Sequence, residues 1–116
     1  MMMVFIETSV FTRQIRDLVS DDHFRALQEW ITAYPAAGNL IKGSGGCRKL
    51  GWNTTATGKR GGIRVIYYWM KDHDRVLLLL AYAKSRTDDL SQAQIKMLGE
   101  IVKLEIRCVE DGRKTF

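Results

Sequence analysis

The sequence predicts an α+β domain in which a small antiparallel sheet of about four strands packs against two N-terminal helices and a C-terminal helix. Three observations carry this expectation. Residues 9–34 hold two runs with apolar side chains at helical spacing, residues 47–83 hold three strand-length runs joined by turns, and residues 91–106 return to helical spacing. Helices and strands are therefore segregated along the chain, which is the α+β order and not the alternation of a doubly wound fold. With 116 residues, a single proline and no low-complexity tract, residues 1–116 read as one domain with a small core.

Taken in order, residues 3–7 make a short strand, and Thr8 or Ser9 offers an N-cap for a helix whose Phe11, Ile15, Leu18 and Val19 fall on one stripe. Ser20 caps a second helix, with Asp21 and Asp22 in the first turn, where the macrodipole favours negative charge. Phe24, Leu27, Ile31 and Tyr34 form its expected buried face, and Pro35 with Gly38 ends it. Strands follow at 47–52, 63–70 and 75–83. The last of them, RVLLLLAYA, is apolar without alternation, as expected for a strand covered on both faces. Ser91 with Gln94 reads as a capping box opening a helix with Ile95, Leu98, Val102 and Ile106 on its stripe. Residues 109–116 mix charges around Gly112 without a period and are expected to fray.

Charge singles out one stretch. Residues 42–71, KGSGGCRKLGWNTTATGKRGGIRVIYYWMK, contain seven Lys or Arg and no Asp or Glu, whereas the chain before them sums to −2 and the chain after them to zero, giving +5 in all. An imbalance confined to one quarter of the chain marks a site for an anionic partner, with a phosphate-rich polymer favoured. Strand alternation places Arg64 with Ile66, Tyr68 and Met70, and Lys49 with Cys47 and Gly51, while Arg48 joins Leu50 and Trp52 on the opposite side. Pairing of the two strands brings a cation from each to a common patch, over which Lys59 and Arg60 hang from the connecting loop. The glycine pairs Gly45-Gly46 and Gly61-Gly62 allow a backbone to approach something bulky. Lys84 and Arg86 stand at the end of the last strand, where functional side chains often sit. Tyr68 and Trp52 could stack on unpaired bases, although aromatic residues at strand spacing more commonly fill cores.

Other chemistries are poorly served. Cys47 and Cys108 lie far apart without a CxxC or a Cys/His cluster, so neither zinc nor a disulfide framework is expected, and reduced thiols fit a cytoplasmic setting. His23 and His73 are separated, so no histidine acid–base pair is expected. No apolar run approaches the roughly 20 residues that span a bilayer, and the N-terminus does not read as a secretory signal.

The strings GGCRKL, GKRGGIRVIYY and LLAYAK, in this element order, resemble the RelE/ParE superfamily of bacterial toxins, and within it the HigB-2-like branch. The resemblance spans residues 4–105, and its most specific piece is KRGGxRxIYY at residues 59–68. It implies a RelE-like fold and a type II toxin–antitoxin component: an endoribonuclease that enters the ribosomal A site, cuts mRNA during translation and is inhibited by a cognate antitoxin, here a helix-turn-helix protein of HigA type. The implied reaction uses neither metal nor cofactor. The 2′-hydroxyl attacks the adjacent phosphate while basic residues position the RNA and move protons.

Carried over by position, the resemblance gives Lys49 the role of base or transition-state stabiliser, Arg64 the grip on the scissile phosphate, and Lys84 a place in the basic cluster after the last strand. Arg48, Lys59, Arg60, Arg86 and Tyr68 complete the expected RNA-binding surface. Relatives carry an arginine just after the position of Lys84 and a tyrosine early in the last helix, where this chain has Ser85 and Ser91. The proton donor is thereby left open among Lys84, Arg86 and Tyr82. A non-cleaving gyrase poison of ParE type and an inert nucleic-acid-binding module are the competing expectations.

Overall fold

A computed structural model describes residues 2–53, 62–84 and 90–110. Its elements are β1 (Val4–Glu7), α1 (Ser9–Leu18), α2 (Asp21–Ala33), β2 (Asn39–Leu40), β3 (Arg48–Trp52), β4 (Ile63–Met70), a 3₁₀ turn (Lys71–His73), β5 (Arg75–Ala83) and α3 (Gln92–Glu110). The strands form one sheet in the order β1-β5-β4-β3-β2. This is the α+β fold, with two differences from the expected sheet. Among the described residues it has five strands, because Asn39 and Leu40 pair with Lys49 and Arg48, and it is mixed, because β1 runs parallel to β5. A two-residue strand is too short to show a period, and side-chain pattern carries no record of strand direction.

The caps are made as the residue types dictate. The hydroxyl of Thr8 accepts from Phe11 N–H at 3.0 Å, and that of Ser20 accepts from His23 N–H at 3.2 Å. At the third helix Ser91 Oγ accepts from Gln94 N–H at 3.1 Å while Gln94 Oε1 accepts from Ser91 N–H at 2.8 Å, a reciprocal capping box. α3 continues to Glu110, two residues into the stretch expected to fray; residues 111–116 lie outside the described residues.

Two apolar clusters sandwich the sheet. On one face Phe11, Ile15, Leu27 and Ile31 of α1 and α2 pack on Leu50, Ile63, Val65, Tyr67, Val76, Leu78 and Ala81. On the other, Leu98 and Val102 of α3 pack on Cys47, Ile66, Leu77 and Leu79. The unbroken apolar run of β5 follows from this arrangement, since the strand lies inside the sheet and is covered from both sides. Tyr34, expected on the buried face of α2, is 55 % exposed instead. It caps the helix C-terminus, where the chain leaves helical geometry, and its ring lies against that of Trp30, tilted by 47° with centroids 4.6 Å apart.

The ladder between β4 and β5 carries a bulge. Ile66 pairs with Leu80 but Tyr67 with Leu78, leaving Leu79 as the extra residue, so that Leu79 and Leu80 both face α3. Two α1-side groups anchor β5 at this irregularity. Thr8 Oγ1 donates to the Leu79 carbonyl at 2.9 Å, and Gln14 Oε1 accepts from Ala81 N–H at 2.9 Å.

Candidate nucleic-acid interface

The site lies on the α3 side of the sheet, toward the end where Gly51 pairs with Arg64. Helix α3 crosses the sheet over the loop between β2 and β3, where Gly99 lets the helix backbone settle on the main chain of that loop: a Cβ there would lie 3.4 Å from the Ser44 carbonyl oxygen. Gly43, Gly45 and Gly46 all have positive φ, and the loop is tied by Ser44 Oγ, which donates to Ile41 O at 2.6 Å and accepts from Cys47 N–H at 3.0 Å. The bulky neighbours admitted by Gly45-Gly46 are thus this chain's own α3 and Tyr68.

Three rows of residues cross this part of the face, where Leu80 and Tyr82 pack against the α3 cluster. Lys49 stands opposite Ile66, which pairs with Leu80; Gly51 stands opposite Arg64, which pairs with Tyr82. One step further, Lys84 N–H donates to Gly62 O at 3.2 Å, extending the ladder past β5, and alternation from Tyr82 returns Lys84 to the same side. Lys49, Arg64 and Lys84 therefore form a diagonal across β3, β4 and the end of β5, each step being the diagonal neighbour distance of about 7–8 Å between adjacent strands. Lys49, Arg64 and Tyr82 are half-buried, and Gly51 and Lys84 are exposed. The Arg64 side chain crosses β3 at Gly51.

Other expected contributors go elsewhere. Arg48 turns to the α1/α2 face, where Nη1 donates to the carbonyls of Gly38 at 2.8 Å and Ala36 at 3.2 Å and holds the segment after α2. β alternation puts it on the side opposite Lys49 and Arg64, so the structure does not bring it together with them. Trp52 also faces α2, with its ring 6.2 Å from that of Trp30, so it is not available to bases on the cationic face. Tyr68 is on the cationic side but packs into the α3 cluster, and burial raises its pKa above the ordinary phenol value. Its ring supports the loop at Gly46. Lys59, Arg60 and Arg86 lie outside the described residues.

The register places two further residues on this face. Tyr82 was one of three open candidates for proton donor, and the register now sets it directly across from Arg64. Gly51 was placed beside Lys49 without a task; its signal was a glycine inside a strand, which often marks a close approach. No group of three or more His, Cys, Asp or Glu able to hold a metal occurs among the described residues. Among them, too, no helix is long and apolar enough to cross a membrane. The chain matches none of the known protein-family models.

Proposed function

We propose that the chain is the toxin of a type II toxin–antitoxin pair, a cytoplasmic, ribosome-dependent endoribonuclease that cuts mRNA by attack of the 2′-hydroxyl on its own phosphate, without metal. The observation that supports this most is the diagonal of Lys49, Arg64 and Lys84 along one side of the sheet. Such a line of cations suits a strand of phosphates lying obliquely across the sheet. The RelE-type resemblance of the sequence gives the same three residues their parts.

The reaction needs one group to remove the 2′-proton, one to protonate the leaving 5′-oxygen, and cations for the charge growing on phosphorus. Arg64, in the middle of the line, has the fork geometry that clamps a phosphate through two oxygens. Lys49 lies on one side of it, as the group that takes the 2′-proton. Tyr82, opposite Arg64 in the same row, supplies a phenol for the leaving oxygen, and Lys84 neutralises the next phosphate.

The partners on this reading are the ribosomal A site with its message and a HigA-like, helix-turn-helix antitoxin. A second reading, a non-cleaving poison of ParE type, is favoured by one residue: Ser91, standing where relatives carry a tyrosine, spends its hydroxyl on capping α3. Induced expression followed by mapping of 5′ ends on cellular messages separates the two. Cuts phased with codons support the nuclease; intact messages with a DNA-damage response support the poison and remove the nuclease.

A further inference from the structure

We propose that Gly51 is a positioning residue for the phosphate clamp: the missing side chain at this point of β3 is the channel along which the Arg64 guanidinium lies. The inference rests on the nuclease reading above and deepens it. A Cβ built at position 51 would stand 2.5 Å from Arg64 Nη1 and 3.5 Å from its Cζ, closer than real Cβ contacts permit in the first case. Among the described residues these are the only neighbours such an atom would meet within 4 Å. Gly51 does not have the positive φ found at Gly43, Gly45, Gly46 and Gly62, so β3 itself has no need of glycine here. Opposite pairing of Gly51 with Arg64 makes the overlap direct.

Gly62 is a useful contrast. It combines a φ of +65° with a Cβ position that collides with the Trp52 carbonyl, so a side chain there strains the backbone as well as the space. At Gly51 the colliding atom is the free end of a flexible arginine, which can swing aside at little cost in stability. A side chain at 51 thus leaves the fold alone and moves the guanidinium off the line joining Lys49 to Lys84.

The test uses the full chain in three forms: Gly51→Ala, Arg64→Ala and the double variant. Cleavage of a message on translating ribosomes is measured beside thermal melting and the NMR resonance of the Arg64 Nε–H group. Arg64→Ala is expected to lose about a hundred- to a thousandfold in cleavage rate. Gly51→Ala is expected to lose roughly a hundredfold, the scale of an ångström-size misplacement, with an unchanged or raised melting temperature because alanine lowers the entropy of the unfolded chain without straining the strand. Its Arg64 Nε–H resonance shifts, and the double variant is no worse than Arg64→Ala alone. Wild-type cleavage by Gly51→Ala beside an inactive Arg64→Ala overturns this inference and leaves the nuclease reading standing. A lowered melting temperature, an unmoved resonance or an additive double variant overturns it as well. A wild-type chain that cuts nothing, or an Arg64→Ala variant that cuts normally, overturns both.

Discussion

Neighbouring arginines on neighbouring strands do unlike jobs here, and the difference is one of side. Arg48 is spent on two backbone carbonyls after α2, whereas Arg64 reaches across Gly51 on the opposite face. Arg48→Ala is therefore expected to cost about 1–2 kcal/mol in urea unfolding, most of it from the shorter, better-buried bond to Gly38, while leaving RNA affinity close to wild type. A second residue-scale expectation concerns the buried Cys47 thiol, which desolvation lifts from 9.0 to about 11 against the opposing help of Ser44. In the unfolded chain the thiol ionises as pH passes its ordinary value; in the fold it keeps its proton until about 11. The unfolded state thus binds fewer protons in that window, and stability, fully present below it, falls as pH rises through it by about 2–3 kcal/mol. Tyr67 and Tyr68, both raised chiefly by burial, add to the decline above the ordinary phenol pKa. Urea midpoints measured across the alkaline range should drop less steeply in Cys47→Ala than in wild type.

At the level of elements, position along the chain and side of a strand were legible, while partners were not. The three caps, the run of β5 and the placing of Lys49 with Gly51 and of Arg64 with Tyr68 all follow from local period and residue type. What the pattern could not contain was tertiary: that Asn39 and Leu40 form a strand, that β1 lies parallel to β5, that Tyr34 ends outside the core, and that the glycines of the β2–β3 loop serve α3. Each depends on a neighbour distant in the chain. Glu105 illustrates the same limit, buried at 2 % exposure on a helix face where the apolar stripe alone predicted only Val102 and Ile106 nearby. Thr8 is where local and distant roles meet, since one hydroxyl caps α1 and also donates to the bulged Leu79 carbonyl. Thr8→Ala should lower stability by about 1–2 kcal/mol, above the usual value for an exposed cap. Thr8→Ser, which keeps both bonds, should recover most of it in the same urea titration.

For the molecule as a whole, the charge pattern and the strand register set Lys49 and Arg64 on one side of the sheet. The expectation is a steep salt dependence of binding to a labelled single-stranded RNA, with a slope of log affinity against log salt near −0.7 for each phosphate neutralised, or about −2 for the three residues of the diagonal. Arg64→Ala and Lys84→Ala should each flatten it by about 0.7, and Arg48→Ala should not. The same architecture also imposes a timetable. The hydroxyl at position 8 waits for a carbonyl 71 residues later, and residues 4–7 leave the ribosome well before the strand they lie against has been translated. At about 5–20 residues per second the delay is several seconds. A growing chain holds its first strand without a seat until β5 emerges, and the same late strand brings Tyr82 and, just after it, Lys84. On the nuclease reading, the machine making this protein is thereby shielded from its product until β5 has been made.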